Sequence, residues 1–353
     1  MVRVRFAPSP TGSLHLGNAL TAVANRRFAD ARGGTFVLRI DDTDPARTVE
    51  RGEAAILDDL AWLGVSFDEG PVRQSERGAL YAEVAGRALA SGAAESDAGG
   101  AIRLARDGTT LLRADGTATY QLASVADDLD LRITHVIRGN DHRPNLEVQQ
   151  RIARALGGVL PEVIHHGLVL GEDGKKLSKR HGHSSIAEFR EEGFPPEAVR
   201  AYLDELDLPE HDVHLDLARL RRLAIDSIAA MSDEDLASAA GAPLEAVPVL
   251  RGARSLVEAR EYARFVLEAP QVPLSTEARP TLDRFAELRE RAPDWLSADE
   301  SRAFLRELKA VGGDLRSLRL ALTGAAAGPE LAAVLSALSR DEALARVARA
   351  IGA

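Results

Sequence analysis

The opening segment switches twice between strand-like and helix-like hydrophobic patterning, and this restricts the fold more than any other feature. Val2-Arg3-Val4-Arg5-Phe6 alternates apolar and charged residues with the period of a strand. A helical stretch follows from about His15 to Ala31 and stops at Gly33-Gly34. The strand-like run Thr35-Phe36-Val37-Leu38-Arg39-Ile40 then meets the acidic cluster Asp41-Asp42-Thr43-Asp44. A second helix is expected beyond it, capped by Thr48, striped by Ile56, Leu57, Leu60 and Leu63, and ended by Gly64. Strand, helix, strand, helix with short joints predicts α/β architecture: a Rossmann-like parallel sheet with crossover helices.

With 353 residues the chain exceeds one compact core, so several domains are expected. The α/β region is expected as a first half over 1–90 and a second half over 119–183, interrupted at 91–118 by a small insertion. That insertion is rich in Gly, Ala and Asp and carries short β-like runs at Ala101–Ala105 and Thr110–Arg113. The pattern resumes with Tyr120–Ala126, Ile133–Arg138, a helix near Asn145–Leu156 and a strand near Val163–Leu170. From about Ser184 strands disappear, and amphipathic segments broken by Pro-containing turns predict an all-α C-terminal half, divided at 184–240 and 241–353.

No apolar run approaches the ~18 residues that span a bilayer, and the strand-like start leaves no room for a signal peptide. The absence of cysteine removes disulfides and thiolate zinc sites, and fits a cytoplasmic protein. His165-His166 and His181-Gly182-His183 lack a suitably spaced third ligand, so no protein-held metal is expected. A net charge of −10 argues against a generally basic nucleic-acid binder but permits a basic face.

Two loops carry chemistry. After the first strand, Pro8 and Pro10 stiffen a turn that Gly12 allows, and His15 and Gly17 stand at the start of a helix. Unpaired N–H groups and a partial positive charge make such a start a phosphate site. About 160 residues later, Lys175-Lys176-Leu177-Ser178-Lys179-Arg180 follows the turn Glu172-Asp173-Gly174. Two lysines flanking a small hydroxyl residue can hold a polyphosphate while charge develops on its leaving group.

The pair of motifs, Pro-x-Pro-Thr-Gly…His-Leu-Gly-Asn and Lys-Leu-Ser-Lys-Arg, resembles the two signatures of class I aminoacyl-tRNA synthetases. Arg39-Ile40-Asp41-Asp42-Thr43-Asp44, Trp62-Leu63-Gly64, Gln74-Ser75-Glu76-Arg77 and Ile133-Thr134-His135-Val136-Ile137-Arg138-Gly139 narrow the resemblance to the glutamyl-tRNA synthetase family, in a compact form. It implies ATP-dependent activation of L-glutamate and transfer to the 3' end of tRNA(Glu), with Mg²⁺ on the phosphates and no zinc. Alternatives are a glutamyl-queuosine tRNA(Asp) synthetase-like paralogue and a stand-alone glutamate-adenylating enzyme. A monomer is the default expectation.

By the same resemblance, His15, Lys176 and Lys179 serve catalysis, and Pro10, Thr11, Gly17, Asn18 and Ser178 join them around ATP. Arg5, Ala7, Ser9, Asp41, Tyr120, Ser124 and Arg138 match the glutamate positions. The arginines would grip carboxylates and Asp41 the α-ammonium. The insertion would meet the acceptor end of tRNA, 184–240 its stem, and 241–353 its anticodon, where Leu318–Gly324 matches the family. Arg219, Arg221, Arg222, Arg316 and Arg319 are the expected basic face.

Overall fold

The computed structural model describes residues 1–44, 48–171, 174–175, 177 and 185–352. It divides into two compact units, one formed by Met1–Phe189 with Val199–Leu217, the other by Arg190–Ala198 with Ala218–Ala353.

The first unit is built on a five-stranded sheet ordered β3 (Glu69–Arg73), β2 (Thr35–Ile40), β1 (Arg3–Phe6), β7 (His135–Gly139) and β8 (Glu162–His166), every neighbouring pair parallel. β1 (Arg3–Phe6), α1 (Leu16–Asp30), β2 (Thr35–Ile40) and α2 (Gly52–Trp62) follow the expected alternation. Thr48 does not cap α2: the helix starts four residues later after Arg51 in the left-handed region (φ 61°), and the Thr48 hydroxyl donates to Asp44 O. A side chain at Gly52 would collide with Pro10 O, its Cβ only 2.2 Å away, so the glycine lets α2 begin directly against the first loop. β3 (Glu69–Arg73) is not expected from the sequence, because Gly70-Pro71 interrupts its pattern. As an edge strand it tolerates a residue without an N–H.

After α3 (Gly78–Ala90), the insertion forms a small antiparallel sheet of β4 (Ala94–Ser96), β5 (Ile102–Leu104) and β6 (Thr110–Leu112). Its apolar residues Ala94, Leu104, Leu111 and Leu112 share a core with Tyr81, Val84, Leu122 and Ile152. Tyr120–Ala126 belongs to a helix, α4 (Tyr120–Asp130), capped by the Thr119 hydroxyl. β7 (His135–Gly139), α5 (Asn145–Ala155) and β8 (Glu162–His166) complete the sheet. A separate two-residue strand, β9 (Val169–Leu170), pairs in parallel with β10 (Val213–His214), so one short strand does lie beyond Ser184. It is too short to show a period.

In the second unit α-helices run from Leu217–Ala230 to Arg340–Ile351, most with caps visible in the sequence. Ser232, Ser255, Ser297, Asp314 and Ser339 accept from backbone N–H groups at helix starts, and Gly241, Gly324 and Gly352 end helices in the left-handed region. Leu236, Val249, Phe285, Leu308, Leu318 and Val347 lie in its core. Arg346, 1% exposed, donates to Phe265 O, Val266 O and Leu322 O and pairs with Glu342, tying the last helix down. Among the described residues no helix is long and apolar enough to cross a membrane.

Candidate active site

β1 pairs with β2 on one side and β7 on the other, so the chain reverses its direction of winding between β1 and β7. Ligands of such sheets bind outside the carboxyl ends of the strands at this reversal. The first loop lies there. Pro8 O accepts from Asp41 N at 3.0 Å and Pro10 O from Val49 N at 3.1 Å, while Gly12 turns at φ 109°. The buried Asp59 carboxylate accepts from the Ser13 hydroxyl at 2.7 Å and from Leu14 N at 2.8 Å. Ser13 Oγ in turn accepts from Ala187 N at 3.0 Å, and Ile186 N donates to Leu14 O at 2.9 Å. The loop is thereby fixed to α2 and to Ile186 and Ala187.

His15 occupies the N-cap position of α1 with extended backbone, and its side chain makes no cap bond. Among the described residues, and apart from its own helix backbone and chain neighbours, a Cβ at Gly17 would meet nothing within 4 Å. Among the described residues the first turn of α1 is therefore uncrowded at Gly17, and the N–H groups of a helix start suit a phosphate. Thr11 and Asn18 are exposed near it, and Pro10 is buried. Lys176, Ser178 and Lys179 lie outside the described residues, as do His181, Gly182 and His183.

The expected amino-acid residues gather at the strand ends. Arg5 is the penultimate residue of β1, Asp41 follows β2, Arg138 lies near the end of β7, and Tyr120 and Ser124 occupy the first turns of α4. Ala7 and Ser9 line the loop between them, both partly exposed. Arg39, absent from the expected site, is the hub of the charges. It is 0% exposed, donates to Asp41 Oδ1 at 2.7 Å and Oδ2 at 3.3 Å, to Asp128 Oδ1 at 2.8 Å and to Ser124 Oγ at 3.5 Å. Burial alone would lower its pKa, but Asp41 and Asp128 hold the guanidinium well above its ordinary value. Burial pushes the Asp41 carboxyl above the usual range, against the pull of Arg39. Arg5 Nε donates to the same Asp128 oxygen at 3.1 Å.

Asp127 is occupied by Arg77 at 2.7 Å, Gln74 at 2.8 Å and Tyr81 at 3.0 Å. Tyr120, Ser124, Asp127 and Asp128 stand at i, i+4, i+7 and i+8 of α4, one helix face, and that spacing was the sequence signal for the two aspartates. Arg138, 6% exposed, donates to Gln149 Oε1 at 2.9 Å and His165 Nε2 at 3.3 Å, and among the described residues its Nη2 has no hydrogen-bond partner. Burial first, then nearby Arg5, lowers its pKa. Burial also raises the Tyr120 hydroxyl, helped by Asp41. The site thus holds three buried cations, Arg5, Arg39 and Arg138, against the buried carboxylates of Asp41 and Asp128, with Asp127 paired to Arg77, a charge balance for a ligand with more negative charge than positive. Among the described residues no group of three or more His, Asp or Glu side chains can hold a metal ion.

The family model for the catalytic domain of class I tRNA synthetases (E and Q) matches residues 1–99 and 95–218, and the anticodon binding domain model matches 219–351. A glutamate–tRNA ligase from Rubrobacter xylanophilus is 38% identical, the match covering 99% of this chain and 97% of that protein. A glutamate–tRNA ligase from Acidiphilium cryptum is 34% identical with 99% of both chains covered. The fold matches that of a glutamate tRNA ligase from Elizabethkingia meningosepticum, solved in complex with its amino acid, with a TM-score of 0.79 at 23% identity over 99% of both chains. The Rubrobacter alignment runs over 421 positions, so that relative carries segments which this 353-residue chain lacks. The two catalytic matches overlap at 95–99, the end of β4 and the turn after it. With catalytic and anticodon models both matched and curated glutamate–tRNA ligases aligned end to end, the chain belongs to the glutamyl-tRNA synthetase family of class I aminoacyl-tRNA synthetases.

Proposed function

We infer that the protein activates L-glutamate with ATP and transfers the glutamyl group to the 3' end of tRNA(Glu). The observation that carries this reading is the buried Arg138, with one guanidinium nitrogen unengaged among the described residues, near Arg5 and Tyr120 at the sheet reversal. Arg5 and Arg138 would take the carboxylates of glutamate, and Asp41 and Tyr120 would order the rest of the molecule. Desolvated cations of this kind reject the neutral amide of glutamine, because a polar group denied its partner costs ~10⁴–10⁵ in discrimination. The glutamate α-carboxylate oxygen attacks the α-phosphorus of ATP, the new P–O bond forms, and pyrophosphate leaves. A hydroxyl of the terminal tRNA ribose then attacks the activated carbonyl and expels AMP. His15 and the first turn of α1 would lie against the phosphates with Lys176, Ser178 and Lys179, and Mg²⁺ would ride on the phosphates. Catalysis here is positioning and charge stabilisation, with no covalent enzyme intermediate.

The anticodon binding model over 219–351 favours charging of tRNA(Glu) over modification of tRNA(Asp) or a tRNA-free adenylating activity. We propose 184–240 as the stem-contacting region, a cytoplasmic location and a monomeric working state. The test is glutamate-dependent ATP–pyrophosphate exchange with and without tRNA, followed by charging of total tRNA. Charging of tRNA(Glu) is the expected result. Exchange without tRNA and without charging would overturn the reading.

A further inference from the structure

The three buried guanidiniums of the site are held in different ways. Arg39 is clamped by the carboxylates of Asp41 and Asp128, and Arg5 leans on Asp128 through Nε. Arg138 has no carboxylate within ion-pair distance among the described residues. Its Nη1 donates to Gln149 Oε1 on α5 at 2.9 Å, and its Nε donates to His165 Nε2 on β8 at 3.3 Å. Gln149 is itself buried, 3% exposed.

Both acceptors are uncharged. A guanidinium has only donors, so the ring nitrogen facing it must be unprotonated and the Gln149 oxygen, not its nitrogen, must face it. Burial, Arg138 and, beyond it, Arg143, His142 and His166 press the His165 pKa down to about 4, which keeps the ring neutral. A carboxylate at either position would fix the guanidinium plane equally well but would spend its charge. Neutral acceptors fix the plane and leave the charge available. The unengaged Nη2 is the remaining corner of that plane.

We propose that Gln149 and His165 form an uncharged cradle that positions Arg138, so that Nη2 and an unneutralised positive charge meet a carboxylate of the amino-acid substrate. This rests on the glutamate reading above. Neither residue need touch the substrate; each acts through Arg138.

The experiment is glutamate-dependent ATP–pyrophosphate exchange in the presence of tRNA, with KM for glutamate and for ATP measured separately. Gln149→Met and His165→Ala each remove one hydrogen bond to a charged group and should raise the glutamate KM about tenfold. The ATP KM and kcat should stay near the wild-type values. His165→Gln, which can restore an acceptor, should recover most of the loss. Gln149→Glu keeps shape and acceptor but adds a charge, so it should raise the glutamate KM further than Gln149→Met. A Gln149→Glu enzyme with wild-type glutamate KM would overturn the proposal. So would Met and Ala variants whose ATP KM rises in step with that for glutamate, the mark of a merely structural role. Failure of the wild type to exchange with glutamate at all would instead overturn the functional reading.

Discussion

Replacing Arg39 by methionine removes the cation from the centre of a dry acidic cluster. The residue is 0% exposed and makes two hydrogen bonds to Asp41, at 2.7 and 3.3 Å, and one to Asp128 at 2.8 Å. Breaking a buried ion pair from one side costs ~3–5 kcal/mol, because the partner is left charged without compensation. Asp128 keeps Arg5 at 3.1 Å, which places the expected loss near the lower end, ~3 kcal/mol. For a unit of this size each kcal/mol shifts the melting temperature by ~2–4 °C, so the variant should melt ~6–12 °C lower. Arg39→Lys keeps the charge and loses the fork, at about one charge-assisted bond or ~1.5–3 kcal/mol, and should fall between. Scanning calorimetry of the full chain measures both, and the glutamate KM should rise because Asp41 loses its brace. A melting shift under ~2 °C for Arg39→Met, less than ~1 kcal/mol on the same scale, would refute the view that this hub holds the site together.

Three further outcomes follow from the geometry. Gly17→Ala meets no atom of another element among the described residues and raises helix propensity, so stability should hold or gain up to ~1 kcal/mol while the ATP KM rises. An unchanged ATP KM would remove Gly17 from the nucleotide site. His165 is held near pKa 4 against an ordinary 6.5, so the unfolded chain takes up its proton first as pH falls. The contribution to stability is complete above 6.5 and is lost toward 4, and urea titrations should show a shallower acid loss in His165→Gln than in the wild type. Arg221, Arg222 and Arg316 are exposed, and reversing their charge should weaken tRNA binding. The slope of log affinity against log salt should flatten by ~0.7–0.9 per lost phosphate contact; an unaltered slope would place the basic face elsewhere.

What could be read in advance depended on range. β1, α1 and β2 are announced by local periodicity, and the strand-end position of Arg5, Asp41 and Arg138 follows from where sheets of this kind bind ligands. β3 is hidden because Gly70-Pro71 erases its pattern, and its place in the sheet comes only from pairing with β2. The links Arg39–Asp128 and Arg138–His165 join residues far apart in the chain, and no local pattern pairs them. Thr48 offered good cap chemistry, but the start of α2 is decided by the contact between Gly52 and Pro10. Tertiary contact overrode local propensity there.

The turn between β4 and β5 has a consequence for engineering. Asp97 Oδ1 accepts from Gly99 N at 2.9 Å and Ala101 N at 3.0 Å, and Asp97 N donates to Ala101 O at 2.9 Å, closing a self-contained exposed loop. Its two ends are already side by side, and its hydrogen bonds are almost all its own. A longer segment could leave and re-enter the chain here without disturbing the core shared by Tyr81, Leu104 and Leu122. This loop is a natural splice point, where an RNA-gripping module can be grafted and its contribution to charging measured by addition rather than by deletion.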